Sequence, residues 1–269
     1  TGCDAGVYPP MSAQLKKLGI DIHEGFDARQ LESSPDCVVV GNVVSRGFDV
    51  VESMLDRDIA YQSGPQWLAE HVLRGQHVFA VAGTHGKTTT ASLLAWILED
   101  AGLKPGFLIG GVPANFGVSA RYGGGDCFVV EADEYDTAFF DKRAKFVHYR
   151  PRTLILNNLE YDHADIYKDL DAILWQFHQL MRTVPGSGRV IVNAADENIA
   201  RLVDMGCWTP CESFSMEQGA DWRAEFVDAT ERRIRIGDSR GQSAEARWQL
   251  GGSHNLENAV AAVAAARSA

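Results

Sequence analysis

The stretch AVAGTHGKTTTASLLAWIL, residues 80 to 98, decides how the rest of the chain is read. An apolar run, HVFAVA at 77 to 82, breaks into a short glycine-containing turn. A helical pattern follows, with Leu93, Leu94, Ile97, Leu98 and Ala101 on one stripe. The spacing predicts strand, loop, helix, with Gly83, Gly86 and Lys87 in the loop. Bare backbone N–H groups at such a turn, backed by the positive end of the helix dipole, form a cradle for phosphate. Lys87 adds a point charge and Thr88 a hydroxyl suited to Mg2+. The usual phosphate-loop pattern has a glycine five residues before Gly86, where this chain has Val81, so the motif is matched in part. A lysine between a glycine and three threonines at a helix start contributes little to a core, so packing alone does not explain it.

The chain has 269 residues, 45% of them hydrophobic, enough for one large domain or two ordinary ones. A formal charge of −11, with no block of basic residues, argues against a non-specific nucleic-acid binder. An anionic substrate must then be held by local features: the phosphate loop, a metal, selected Arg or Lys. The five cysteines, at 3, 37, 127, 207 and 211, have no disulfide-framework spacing, which points to a reducing, cytoplasmic compartment. Cys207 and Cys211 form a lone pair without a nearby His and read as structural or incidental. No run of about 18 apolar residues marks a membrane span. The opening TGCDAGVYPP and the Ala-rich close are expected to continue in a longer protein.

From 1 to about 75 helix and strand alternate: MSAQLKKLG as a helix, CVVVG as a buried strand, PQWLAEHVLRG as a helix with Pro65 near its start. This predicts an α/β unit with a parallel sheet. Asp4 follows what would be a strand end. It is either a solvated loop carboxylate or, as in dinucleotide-type folds, a partner for a ribose hydroxyl. A domain boundary is expected at Gly75 and Gln76, giving domains 1–75 and 76–269. After the first helix of the second domain comes GFLIGGVPANFGVSARYGGGDC, a long glycine-rich connection expected to be a binding loop, with Asn115 and Arg121 as candidate contacts.

Two further strands repeat one arrangement. CFVV at 127 to 130 runs into Glu131, Asp133 and Glu134; TLIL at 153 to 156 runs into Asn157, Asn158, Glu160, Asp162 and His163. Ligands of open parallel sheets gather outside the carboxyl ends of the strands. Three candidate strands thus deliver Lys87 and Thr88, then Glu131, then His163 to one edge. A hydroxyl and a carboxylate suit Mg2+, which makes Thr88 and Glu131 natural ligands. His163 is less suited to a hard cation, and a hydrogen-bonded loop role competes with a ligand role.

KDLDAILWQFHQLMRTV is an amphipathic helix with Leu170, Ile173, Leu174, Phe177, Met181 and Val184 on its core face, and His178 beside it. RVIVN is a strand and DENIARLV a helix, and residues 222 to 250 alternate as short antiparallel strands. The closing helix LGGSHNLENAVAAVAAAR places Leu256, Val260 and Val263 on one face, with His254, Asn255 and Asn258 at its first turn. Two readings are open there: an Asn cap, or an amide that reads an adenine edge.

GTHGKTTT, EADEYD, LEYDHAD and SHNLENA, in that order and across essentially the whole chain, resemble the Mur ligases, ATP-dependent amide-forming enzymes of bacterial peptidoglycan metabolism. SGPQWL, GGVPANFGVSAR and TAFFDKRAKFVHYRPRTLILNNLEYDHADIY are most similar to one branch of that family. Its members join the recycled tripeptide L-alanyl-γ-D-glutamyl-meso-diaminopimelate to UDP-N-acetylmuramate; the branch that adds alanine is less similar. The resemblance implies a Rossmann-like UDP-binding domain, here incomplete, and a P-loop ATPase-type central domain with a mostly parallel sheet and a small antiparallel one. The amine-binding domain of the family is expected to lie beyond this stretch.

By the same resemblance Gly83, Thr84, His85, Gly86, Lys87, Thr88 and Thr89 hold the ATP phosphates. Lys87 lies on the transferred group, and Thr88 and Glu131 on one Mg2+. His163 is implied as ligand of a second Mg2+, which makes Lys87, Glu131 and His163 the catalytic set. Asn255, with His254 and Asn258, is implied at adenine, and Asp4 and Asn42 near the UDP-sugar. The chain departs from several relatives in lacking a lysine at 170 to 182, where they carry a carbamylated one.

Overall fold

The computed structural model describes residues 1–9, 11–161, 167–228, 230 and 232–269. The chain divides into two compact units, residues 1–67 with 136–142, and residues 68–135 with 143–269.

In the smaller unit β1 (Gly2–Asp4) pairs parallel with β2 (Ile22–Glu24) across α1 (Met11–Lys17), and β3 (Val38–Val40) pairs parallel with β4 (Tyr61–Ser63) across α2 (Asp49–Asp56). Leu31, Val40, Val50, Val51 and Met54 form its buried core, with Phe139 packed against them. α3 (Gly64–His71) leads into the larger unit. β9 (Asp136–Ala138) and β10 (Asp141–Ala144) form a separate two-stranded pair.

The larger unit is built on one ten-stranded sheet. Its strands are β5 (His77–Ala82), β6 (Gly106–Leu108), β7 (Ala120–Arg121), β8 (Cys127–Glu131), β11 (Thr153–Leu156), β12 (Arg189–Asn193), β13 (Cys211–Ser215), β14 (Trp222–Phe226), β15 (Arg233–Asp238) and β16 (Ser243–Arg247), in the order β16-β15-β14-β13-β12-β11-β5-β8-β6-β7. From β13 through β6 neighbours run parallel; β15 is antiparallel to both its neighbours, β14 and β16, and β7 is antiparallel to β6. The antiparallel strands foreseen at 222 to 250 extend this sheet, because β14 pairs parallel with β13.

Side-chain alternation sorts each strand between two cores. Val78, Ala80, Ala82, Val130, Leu154 and Leu156 face α5 (Leu170–Met181) and α6 (Glu197–Asp204). Phe79, Val81, Val129, Ile155 and Ile191 face α4 (Lys87–Asp100) and α7 (Ser253–Ala266). Burying each of the larger side chains stabilises the fold by roughly 1.5–3 kcal/mol. On α4 the buried positions are Thr90, Ala91, Leu94, Ala95 and Leu98, while Ala101, expected on the stripe, is the exposed C-cap. α7 is buried along most of its length rather than on one face, at Leu256, Asn258, Val260 and the five alanines Ala259, Ala261, Ala262, Ala264 and Ala265. Alanine lets it lie close to both α4 and the sheet, which no larger side chain at those positions would permit.

Candidate functional site

The order β11-β5-β8 puts the three chemistry-bearing strands side by side and parallel, so their carboxyl ends open onto one edge. After β5 the chain makes a tight loop at Gly83–Gly86 and enters α4, whose N-cap is Gly86 with φ 79° and no side-chain hydrogen bond. The amide donors of the first turn therefore have no side-chain cap, and they coincide with the positive end of a 14-residue helix. Glycine is required at both loop positions. A Cβ on Gly83, where φ is 139°, would stand 2.9 Å from the Asn158 carbonyl oxygen, and one on Gly86 would stand 2.5 Å from Asn258 Oδ1.

The loop after β11 holds the phosphate loop in shape. The Thr84 amide donates to the Asn158 carbonyl at 3.0 Å, and the His85 amide to Asn158 Oδ1 at 2.7 Å. Asn158 Nδ2 donates to the His85 carbonyl at 3.2 Å, and the Glu160 backbone amide to Thr84 Oγ1 at 2.9 Å. The His85 ring is exposed, 3.8 Å from Glu160. Beneath Gly86 is a buried amide cluster. Asn258 Oδ1 accepts from the Thr90 hydroxyl at 3.1 Å and from Asn157 Nδ2 at 3.4 Å, and Asn157 Nδ2 also donates to Thr90 Oγ1 at 2.9 Å. Asn157 Oδ1 is buried with no partner in this structure.

Glu131, the last residue of β8, reaches the first turn of α4. Its Oε1 accepts from the Thr88 hydroxyl at 2.8 Å and its Oε2 from the Gly110 amide at 2.8 Å. Two hard oxygen donors thus sit together at the mouth of the cradle, the donor set that suits Mg2+. The Gly110 amide fixes which carboxylate oxygen faces Thr88. Lys87 curls over its own loop, donating to the Gly83 carbonyl at 2.6 Å and the Thr84 carbonyl at 3.2 Å. It also meets Glu134 at 3.2 Å, in an ion pair whose side chains are 14% and 4% exposed. Glu134 is the residue of this site that the sequence motifs left without a role; its signal was its place three residues after Glu131 at the end of a buried strand.

The other candidates are placed as follows. Thr89 is half-buried in the first turn of α4. His254 is exposed, and Asn255 donates to the Gly251 carbonyl at 2.7 Å at the start of α7, whose N-cap is Gly252 rather than an asparagine. Asn258 is not presented outward; it is 7% exposed and turned beneath Gly86. Asn115 is exposed in the loop between β6 and β7. Arg121 is not brought to the site. Its guanidinium donates to Glu99 at 2.5 Å and to the Pro105 carbonyl at 2.8 Å, and lies over the Phe107 and Phe116 rings, beyond the far end of α4 from the phosphate loop. Asp4, whose carboxylate accepts from the Ala5 amide at 2.7 Å, and Asn42, in the turn after β3, are exposed at strand ends of the smaller unit. His163 lies outside the described residues.

A strand, an uncapped glycine turn and a lysine, with a threonine meeting the carboxylate of the neighbouring strand, bring together the groups that polyphosphate binding calls for. The family model described as Mur ligase middle domain matches residues 81–266, and that described as Mur ligase family, catalytic domain, matches residues 1–76. The chain belongs to the Mur ligase family. Among Mur ligases it is 57% identical, over 99% of its length, to UDP-N-acetylmuramate-L-alanyl-gamma-D-glutamyl-meso-2,6-diaminoheptandioate ligase of Escherichia coli strain K12, and covers 58% of that relative. It is 34% identical, over 94% of its length and 51% of the relative's, to UDP-N-acetylmuramate-L-alanine ligase of Halorhodospira halophila. The crystal structure of a UDP-N-acetylmuramate:L-alanyl-gamma-D-glutamyl-meso-diaminopimelate ligase from Neisseria meningitides superposes with a TM-score of 0.93 at 55% identity, covering 99% of this chain and 85% of that one. The chain thus spans somewhat more than half the length of the curated Mur ligases it matches. Among the described residues no helix is long and apolar enough to cross a membrane, and all five cysteines are free.

Proposed function

We propose that this chain carries the nucleotide-binding part of an ADP-forming amide ligase of the cytoplasm. The ligase joins the tripeptide L-alanyl-γ-D-glutamyl-meso-diaminopimelate to UDP-N-acetylmuramate at the expense of ATP. The observation that carries the reading is the contact of Thr88 with Glu131 beside Lys87, at the mouth of an uncapped helix N-terminus. The tripeptide is favoured over alanine by the gap between 57% and 34% identity to the two kinds of relative.

In this reading the amides of Gly83–Thr89 hold the polyphosphate, and Lys87 touches the transferred phosphoryl group. Thr88 and Glu131 hold Mg2+, with His163 assigned to a second ion on family resemblance alone. When bound, Mg2+ supplies the positive charge that lets a carboxylate approach a phosphate. Asn255 and His254 are assigned to adenine, and Asn258 braces the phosphate loop from beneath Gly86. Asp4 and Asn42 are assigned to the UDP-sugar. The lactyl carboxylate of UDP-N-acetylmuramate attacks the γ-phosphorus, and ADP departs with the electrons of the broken P–O bond. The amine of the tripeptide then displaces phosphate from the acyl phosphate and gives up a proton, leaving an amide. Exclusion of water protects the acyl phosphate in the interval.

Calorimetry of the chain with ATP and Mg2+, and separately with UDP-N-acetylmuramate, tests both binding assignments. Phosphate release measured with tripeptide against alanine tests the acceptor. Faster release with alanine would move the assignment to the alanine-adding branch. Binding of ATP without turnover would limit the chain to a nucleotide-binding module.

A further inference from the structure

A cradle for polyphosphate gains from net positive charge, yet the described charges at this edge are mostly negative. Glu131, Asp133 and Glu134 all lie at the end of β8, and Lys145 is already committed to Asp133 at 3.1 Å. Lys87 shares its ammonium among Gly83, Thr84 and Glu134, and the pair it makes with Glu134 is largely withdrawn from water. Solvent and salt screen such a pair far less than an exposed one. Glu134 is also held by its backbone, its carbonyl accepting from the buried Tyr167 hydroxyl. On its two sides the Tyr135 amide donates to Asp133 Oδ1 at 2.9 Å and the Lys145 amide to the Tyr135 carbonyl at 2.9 Å. Its carboxylate is therefore held in place beside the one lysine of the cradle.

To an arriving anion, Lys87 and Glu134 together present almost no net charge, leaving the helix-start amides as the attraction. A metal-bound nucleotide carries less negative charge and brings its own attraction to Glu131. We infer that Glu134 is a specificity-determining residue that makes the cradle prefer metal-bound nucleotide to free polyphosphate. This rests on the ATP reading above. If Glu134 served only to bury Lys87, its replacement would shift affinity for every anion alike; a charge role changes the ratio between them.

The test is calorimetry with ATP and with inorganic pyrophosphate, each in excess MgCl2 and in EDTA, on the wild-type chain, Glu134→Gln and Glu134→Asp. Glutamine keeps the shape and an acceptor for Lys87 but removes the charge. Its affinity for both ligands in EDTA is expected to rise about tenfold or more, as loss of a like charge a few ångströms away requires. Affinity for ATP with Mg2+ should change less, so the ratio collapses. Glu134→Asp keeps the charge and the wild-type ratio. An unchanged ratio in folded Glu134→Gln overturns the inference. Should that variant not fold, the wild type still decides against it: ATP and pyrophosphate held as tightly in EDTA as with Mg2+ overturn the inference. Failure of the wild type to bind ATP even with Mg2+ would overturn the ATP reading itself, and the inference with it.

Discussion

The Thr88 hydroxyl donates to Glu131 Oε1 across 2.8 Å, joining the first turn of α4 to the carboxyl end of β8. If the two share one cation, their effects on metal-dependent binding are not additive. Glu131→Gln and Thr88→Ala are each expected to weaken ATP binding in Mg2+ at least about tenfold, the scale of a lost contact to a charged group. The double variant should be little worse than Glu131→Gln. Titration calorimetry at fixed ATP and varied Mg2+ checks this, and strictly additive losses would separate the two residues.

Gly83→Ala meets two obstacles, a backbone at φ 139° and a Cβ 2.9 Å from the Asn158 carbonyl oxygen. Gly75→Ala, at φ 83° with open space around it, meets only the first. The loop variant is expected to lose about 1–3 kcal/mol more than the Gly75 variant, from clash added to strain. Urea unfolding of both variants measures the difference, and equal losses would mean that the Asn158 loop gives way.

Thr90 and Asn258 are 168 residues apart in sequence and share a buried hydrogen bond of 3.1 Å. A double-mutant cycle of Thr90→Val and Asn258→Ala should show a coupling of about 0.5–3 kcal/mol, as expected for residues in one buried network. A coupling near zero would mean that the amide cluster is not formed in solution.

His77 carries a pH dependence of known sign. Burial, with Arg152 nearby, holds the ring below the ordinary histidine range, and its Nε2 lies 2.8 Å from Thr153 Oγ1. The unfolded chain therefore binds a proton at a pH where the folded chain does not, so stability falls as the pH drops through about 6.5, the unperturbed value. The loss stops growing below the depressed folded value. Thermal melts between neutral and mildly acidic pH should show the decline in wild type and a flatter profile in His77→Gln. Identical slopes would assign the effect to other groups.

Much of the site is visible in the linear chain because its logic is local. An apolar run, a glycine turn and a lysine at a helix start need only neighbouring residues to declare themselves. The strand ending in Glu131 and the one running into Asn157 show as apolar runs followed at once by polar side chains. Alternation also exposes the strands of the sheet, since period and burial are properties of a few consecutive residues.

Which side chains meet is another matter. Arg121, expected to touch ligand, is spent on Glu99 and Pro105 because β7 closes antiparallel on β6 at the sheet edge. Asn258, expected at adenine, lies under Gly86 because α7 packs along α4 and turns that residue inward. Lys87 finds Glu134 because β8 lies directly beside β5. Strand order and helix packing join residues separated by 22, 47 and 168 positions in these hydrogen bonds. No pattern of a few neighbouring residues encodes them, since they depend on the free energy of burying both sheet faces at once.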